Sequence, residues 1–236
     1  MNQLLIATNN NGKIKELHEL LDDMGIDLVT PSQIGLDLDV IEDGQTYAEN
    51  ATKKALAFAQ ASGLISLADD SGLEVDALDG APGLYSARYG SPDGNKLSDG
   101  ERRKYLVSKL QGTPRPWTAR FRAVIAIAVP ESVTLSREAA KSLGHNQTKT
   151  LRSPQNSSPI PSRRSIGRVT ITEGICEGEI IPEERGTGGF GYDPIFLLPK
   201  LGKTMAELPM EEKNRLSHRA RAVMKAKGIL VVLFQG

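Results

Sequence analysis

The chain is poor in the residues that build covalent or metal-held frameworks. It has one cysteine, Cys176, among 236 residues, which excludes an internal disulfide and a multi-thiolate zinc site. His18, His145 and His218 are the only histidines, too few for a histidine-built metal cluster. Net charge is also lacking: Lys+Arg and Asp+Glu each number 29, so nothing in the balance calls for nucleic acid or a membrane surface. No apolar run nears the roughly 18 residues of a membrane span. The opening MNQLLIATNNNGK has neither a basic region nor a long apolar stretch, so no signal peptide is expected. Apolar residues make up 39%, enough for a packed core. These limits leave a cytoplasmic soluble enzyme or binding protein, built as one large domain or two lobes sharing a core.

Strands and helices are expected to alternate. Residues 3–8 read as a short buried strand around Leu4-Leu5-Ile6-Ala7, followed by the turn Asn9-Asn10-Asn11-Gly12. Ile14, Leu17, Leu20 and Leu21 then recur at helical spacing, Gly25 stops that helix, and residues 26–29 read as a second strand. Such a β-α-β opening points to an α/β fold. Thr46-Tyr47-Ala48-Glu49 fits a capping box ahead of an Ala-rich helix to Ser62. Residues 64–68 read as a buried strand that delivers Asp69 and Asp70 at its end. Residues 79–95 read as loop, 98–111 as a helix with a Ser98/Glu101 capping box, 119–129 and 167–176 as strands, and 211–227 as a basic C-terminal helix. The terminal Leu233-Phe234-Gln235-Gly236 reads either as a foreign tail or as the end of an apolar strand.

Residues 131–168 stand apart. Seven Arg and Lys residues face only Glu131 and Glu138, with eight serines, Pro154, Pro159 and Pro161, and little apolar content. This composition reads as a mostly mobile, solvated insertion between two strands of a hairpin, with residues 136–143 a possible short helix.

Four clusters could carry chemistry. Thr8-Asn9-Asn10-Asn11-Gly12-Lys13 lies between a strand and a helix, where free backbone N–H groups and a lysine suit a phosphate. Its spacing is not that of a P-loop, and an Asn-rich turn is also ordinary turn chemistry. Asp69 and Asp70, with Ser71 behind them, are carboxylates where α/β sheets bind ligands, although neighbours on a strand face opposite ways. Glu42 and Asp43 could add oxygen ligands for magnesium, and a nearby carboxylate could deprotonate water; a solvated acidic turn is the alternative. Gly186-Thr187-Gly188-Gly189-Phe190-Gly191-Tyr192-Asp193-Pro194 combines glycines for close approach, aromatics for stacking and an acid. Lys213 with Ser217-His218-Arg219 offers cations for phosphate or for a purine carbonyl, with Ser217 a helix N-cap.

In order and wording, TNNNGK, EDGQTYAENA, LADDSGLEVDALDGAPGLYSARY, GTGGFGYDPIF and EEKNRLSHRARA closely resemble the inosine triphosphate pyrophosphatase family, over roughly residues 2–130 and 167–228. The segment 131–168 departs from it, being longer than the family's usual hairpin. The resemblance implies an α/β fold with a mixed central sheet flanked by helices, a single domain spanning 1–236 with two lobes and a substrate cleft, usually a homodimer. It also implies Mg²⁺-dependent hydrolysis of deaminated purine nucleoside triphosphates (ITP, dITP and XTP) to the monophosphate and pyrophosphate, cleansing the nucleotide pool.

Matched motif by motif, Thr8, Asn9, Asn10, Asn11, Gly12 and Lys13 would hold the triphosphate. Asp70 would accept the proton of the attacking water and bind magnesium, with Glu42 a second metal ligand and Asp69 close by. Ser71 would touch the substrate. Phe190, Gly191, Tyr192 and Asp193 would clasp the nucleoside, Phe190 by stacking. Lys213, His218 and Arg219 would read the base carbonyl and support phosphate. Two other readings stay open: a Maf-type nucleotide pyrophosphatase acting on other nucleotides, and a non-catalytic nucleotide sensor.

Overall fold

In the computed structural model, which describes residues 2–92, 94, 97–131, 133 and 168–235, seven strands form one mixed sheet in the order β2-β1-β3-β4-β5-β6-β7. They are β1 (Gln3–Ile6), β2 (Asp27–Val29), β3 (Ile65–Val75), β4 (Trp117–Val129), β5 (Arg168–Ile180), β6 (Phe196–Leu198) and β7 (Lys203–Thr204). β1 is parallel to both β2 and β3, and every later pairing is antiparallel. The helices are α1 (Asn11–Leu21), α2 (Tyr47–Ser62), α3 (Asp99–Leu110), α4 (Met210–Leu216) and α5 (His218–Phe234).

Strand alternation divides the core. Leu4, Ile6, Ile65, Leu67, Ile125 and Ile127 pack under α1 and α5, while Leu5, Ala7, Ala68, Val124 and Ala126 pack under α2 on the other face. A third cluster joins Leu106 and Leu110 of α3 to Phe121, Tyr192 and Phe196. Among the described residues no helix is long and apolar enough to cross a membrane.

Several boundaries differ from the sequence reading. β3 does not end at Ala68. It runs through Asp69 and Asp70 to Val75, because Ser66–Val75 pairs continuously with β4; the polar run hides the strand from apolar periodicity. Only Asp27–Val29 of the second expected strand forms, and β5 extends past Cys176 to Ile180. The single basic helix expected over 211–227 is two helices. Ser217, with extended backbone (φ −66°, ψ 155°), ends α4 and caps α5 by accepting the N–H of Ala220 at 3.1 Å. Residues 233–234 finish α5 rather than a strand, and Leu233 and Phe234 pack on the core. In α2 the Thr46 hydroxyl caps the Glu49 N–H, but Glu49 reaches back to the Gln45 N–H instead of closing the expected box. The Ser98/Glu101 box is complete. The expected helix at 136–143 and nearly all of the 131–168 segment lie outside the described residues.

Candidate active site

The sheet itself creates the site. β1 pairs with β3 only as far as Ile6 opposite Leu67, and the chain then turns away at Thr8. Past Leu67, apart from an isolated bridge of Glu74 to Pro82, that edge of β3 has no strand partner among the described residues, at the carboxyl end of a parallel strand, where α/β sheets receive ligands. Two ammonium groups cover that edge: Lys13 and Lys54 each donate to the Asp69 carbonyl at 3.2 Å.

The turn after β1 is organised by its own side chains. The Asn10 N–H donates to the Thr8 hydroxyl, and the Asn10 side chain caps α1 by accepting the Lys13 N–H at 3.1 Å. The backbone N–H groups of Asn11 and Gly12 have no partner among the described residues. They are first-turn donors of α1, the helix that also carries Lys13.

Asp69 and Asp70 face opposite sides of the sheet, as alternation requires. Asp69 is fully buried toward α1 and α5. Its Oδ2 accepts from Nε and Nη2 of Arg219 at 3.0 and 2.9 Å and pairs with Lys13 at 3.1 Å. Burial would raise its pKa, but Arg219 and then Lys13 outweigh this and hold it well below the carboxylate range. Asp70 is buried toward α2, its Oδ2 has no hydrogen-bond partner among the described residues, and burial raises its pKa against the pull of Lys13 and Lys54. Glu42 and Asp69 push the same way as burial. Glu42 is held at this end of α2 by Lys54, 2.6 Å away.

Behind Asp69 the charges form a closed relay. Arg219, 1% exposed, also bonds Glu16 and the Ser71 hydroxyl. Glu16 pairs with Lys213 at 2.6 Å, Lys213 pairs with Asp193 at 2.7 Å, and Asp193 accepts the Phe190 N–H at 3.0 Å. Lys13, Lys213 and Arg219 thus balance Glu16, Asp69 and Asp193. Burial of this many charges is tolerable because each has an opposite charge beside it, although Asp69 Oδ1 has no hydrogen-bond partner among the described residues. The Phe190 ring lies over the end of the relay, 5.5 Å from the Lys213 ammonium and 5.6 Å from the Arg219 guanidinium. It also rests on Gly12, where a β-carbon would come within 2.6 Å of the ring. Gly189 is needed for a similar reason: at φ +74°, its β-carbon would fall 2.0 Å from Asp193 Oδ2.

The structure gathers Thr8–Lys13, Asp69, Asp70, Ser71, Phe190, Asp193, Lys213, His218 and Arg219 around one end of the sheet, with different postures from those the sequence suggested. Asp69 Oδ2 sits with the cations, bonded to Arg219 and paired with Lys13, while its Oδ1 has no hydrogen-bond partner among the described residues. Tyr192 is 4% exposed and donates its hydroxyl to the Ser86 carbonyl at 3.0 Å. Its ring anchors the glycine-rich loop in the core and is not offered to a ligand. Arg219 spends four of its five N–H groups on Asp69, Glu16 and Ser71, which leaves one for any other partner. His218 stacks on Phe121 at 4.8 Å, and burial, reinforced by Arg219, drives its pKa down to about 3, so the ring is neutral.

Two site residues escaped the sequence reading. Glu16 lies one turn after Gly12 and one before Leu20, so it shares a face with a core leucine. Lys54 lies between Asn50 and Phe58 on the buried side of α2. The available signal was a polar residue at i, i+4 spacing inside an apolar stripe.

The Ham1 family pattern matches residues 4–149 and 160–229, so of the segment read as an insertion only 150–159 falls outside it. The chain is 45% identical over 233 residues to a dITP/XTP pyrophosphatase of Desulforamulus reducens, covering 98% of this chain and 97% of that one. It is 38% identical over 231 residues to the dITP/XTP pyrophosphatase of Bacillus subtilis, covering 98% of each. A solved HAM1 protein from Coxiella burnetii superposes with a TM-score of 0.74 at 34% identity, covering 98% of this chain and 99% of that one. With its motifs, its mixed sheet and its full-length relatives in agreement, the chain belongs to the Ham1 family.

Proposed function

We propose that the protein is a magnesium-dependent pyrophosphatase that hydrolyses deaminated purine nucleoside triphosphates, dITP, XTP and ITP, to the monophosphate and pyrophosphate. The observation that carries this reading is the buried Oδ2 of Asp70, which has no hydrogen-bond partner among the described residues and is set beside Lys13 and Lys54 near the Asn10-capped turn. A buried carboxylate with an unused oxygen is suited to take a proton from water. The curated names of the relatives support the substrate class.

The Asn11 and Gly12 N–H groups and the Lys13 ammonium receive the triphosphate. Lys13 spends its contacts on Asp69 alone, so it can still turn a proton toward a phosphate oxygen. Asp70 Oδ2 accepts the proton of the water that attacks the α-phosphorus, and pyrophosphate leaves toward the cationic turn. Asp70 through its other oxygen, Oδ1, and Glu42, two carboxylates whose charges repel across the site, would hold a magnesium ion by the chemistry of their oxygens. Bound there, the ion supplies neutralisation of charge on the phosphate oxygens. Lys54 keeps Glu42 in place and covers the free edge of β3.

The base lies against Phe190. The remaining N–H of Arg219 and the Lys213 ammonium are donors. They can meet the 6-carbonyl of hypoxanthine or xanthine and would oppose the 6-amino group of adenine, a mismatch that leaves buried donors unpaired. A single domain of two lobes, acting as a homodimer in the cytoplasm, completes the reading.

The test is pyrophosphate release from dITP, XTP, ITP, ATP, GTP and dTTP, with Mg²⁺ and with EDTA. Metal-dependent release confined mainly to the deaminated purines is expected. Release chiefly from dTTP, or binding of ITP without release, would overturn the proposal.

A further inference from the structure

The glycine-rich loop is held from outside the site by α3. Asp99 opens this helix, and Arg103 follows one turn later on the same face. Asp99 Oδ2 accepts the N–H of Gly191 at 2.6 Å, and Arg103 Nη1 donates to the carbonyl of Gly191 at 2.8 Å. The two side chains therefore grip the two peptide groups on either side of a single α-carbon. That residue is in the left-handed region, φ +63°, with no atom near the place a β-carbon would take.

The first gripped peptide joins Phe190 to Gly191, so its orientation sets where the Phe190 ring projects. Arg103 is itself braced by Glu184 at 2.8 Å, just ahead of the loop, and Tyr192 ties the loop to Ser86. Asp99 is paired with Arg102, which also donates to the Ala87 carbonyl at 2.6 Å. The loop is thus fixed at Phe190 N by Asp193 on its inner side and at Gly191 by α3 on its outer side.

We propose that Asp99 and Arg103 are positioning residues that clamp the loop so that Phe190 meets the nucleoside, and that they act on nucleoside binding and not on proton transfer or phosphate chemistry. This rests on the reading of Phe190 as the nucleoside contact. Neither residue reaches the Asp70 or Lys13 end of the site in any contact the structure shows.

The experiment is steady-state pyrophosphate release from dITP with Mg²⁺ by the full-length Asp99→Ala, Arg103→Met, Arg103→Lys and Phe190→Ala variants. Each is also followed by thermal unfolding and by inhibition with inorganic tripolyphosphate, which has no nucleoside. Asp99→Ala and Arg103→Met are each expected to raise KM for dITP about five- to tenfold, as for one lost hydrogen bond, with kcat within about twofold. The tripolyphosphate inhibition constant stays at the wild-type value. The double variant raises KM by less than the product of the singles, because both hold one residue. Arg103→Lys, which keeps a donor, recovers part of the loss.

A merely structural role would instead lower the melting temperature and kcat with KM unchanged, and that result overturns the clamp. So does a parallel rise in KM and in the tripolyphosphate constant. If Phe190→Ala raises KM while the α3 variants do not, only the clamp fails. If Phe190→Ala leaves KM unchanged, the nucleoside reading of the loop fails instead.

Discussion

Replacing Glu16 by alanine tests whether the buried relay is a working part of the fold. Glu16 is 3% exposed and joins Lys213 at 2.6 Å to Arg219. Its removal leaves three buried cations facing two carboxylates. Breaking a buried pair costs about 3–5 kcal/mol, because a charge is left uncompensated in a poorly hydrated place. Here Lys213 keeps Asp193 at 2.7 Å and Arg219 keeps Asp69 at 2.9 Å, so the low end, about 3 kcal/mol, applies. For a chain of this size the melting temperature should fall by about 6–12 °C.

Calorimetry at neutral pH reads this directly, with Glu211→Ala as comparison. Glu211 pairs with Arg215 on the surface, the two side chains 81% and 73% exposed, and its loss should shift the melt by no more than about 1 °C. High salt should leave the Glu16→Ala deficit in place, since the relay is shielded from solvent ions. The depressed pKa of Glu16, which arises because Arg219 and Lys213 overcome its burial, adds a pH signature. A carboxylate depressed in the folded state contributes stability that is present above its ordinary value of 4.5 and is lost as pH falls through the lower native value. The variant should lack that share of acid sensitivity. A Glu16→Ala protein melting within about 2 °C of wild type would refute the reasoning.

Asp70→Asn should cut turnover by about 10²–10⁴-fold while melting at or above the wild-type temperature, because burial already disfavours the Asp70 carboxylate; wild-type turnover would sink its assignment as proton acceptor. His218→Gln should flatten the stability profile between pH 6.5 and about 3. The native ring has a pKa of about 3 against an ordinary 6.5, so its contribution is full above 6.5 and declines with falling pH, at up to about 1.4 kcal/mol per unit. Parallel wild-type and variant profiles would contradict this. Lys13→Ala should lower kcat and raise KM together, since it removes a cation from the turn and a partner from Asp69; unchanged kinetics would take Lys13 out of the site.

Much of the local structure was legible without coordinates. Thr46, Ser98 and Ser217 announce helix starts by chemistry that is local in sequence, and each caps the helix that follows it. The turns and the apolar stripe of α1 depend on neighbours a few residues away, which is why they could be read. β3 could not be bounded this way, because what keeps Asp69 and Asp70 inside a strand is pairing with β4, far along the chain, with Lys13, Lys54 and Arg219 offsetting the burial of Asp69. The break between α4 and α5 was missed although Ser217 was recognised as a cap. Its reason is tertiary: α5 presses so close to β5 that a β-carbon on Gly174 would lie 2.1 Å from the His218 carbonyl.

By itself the sequence determined the α/β class, the motif-bearing segments and the family, because those follow from local periodicity, capping and the order of short blocks. Tertiary structure alone decided how the charges are shared. It turned Asp69 toward Arg219 and Asp70 toward Glu42 and Lys54, brought in Glu16, withdrew Tyr192 into the core and set α3 against Gly191. Charge state and orientation in a buried site depend on which groups packing brings within a few ångströms. The strength of each pairing then depends on how thoroughly water is excluded, and neither quantity is carried by residue spacing along one chain.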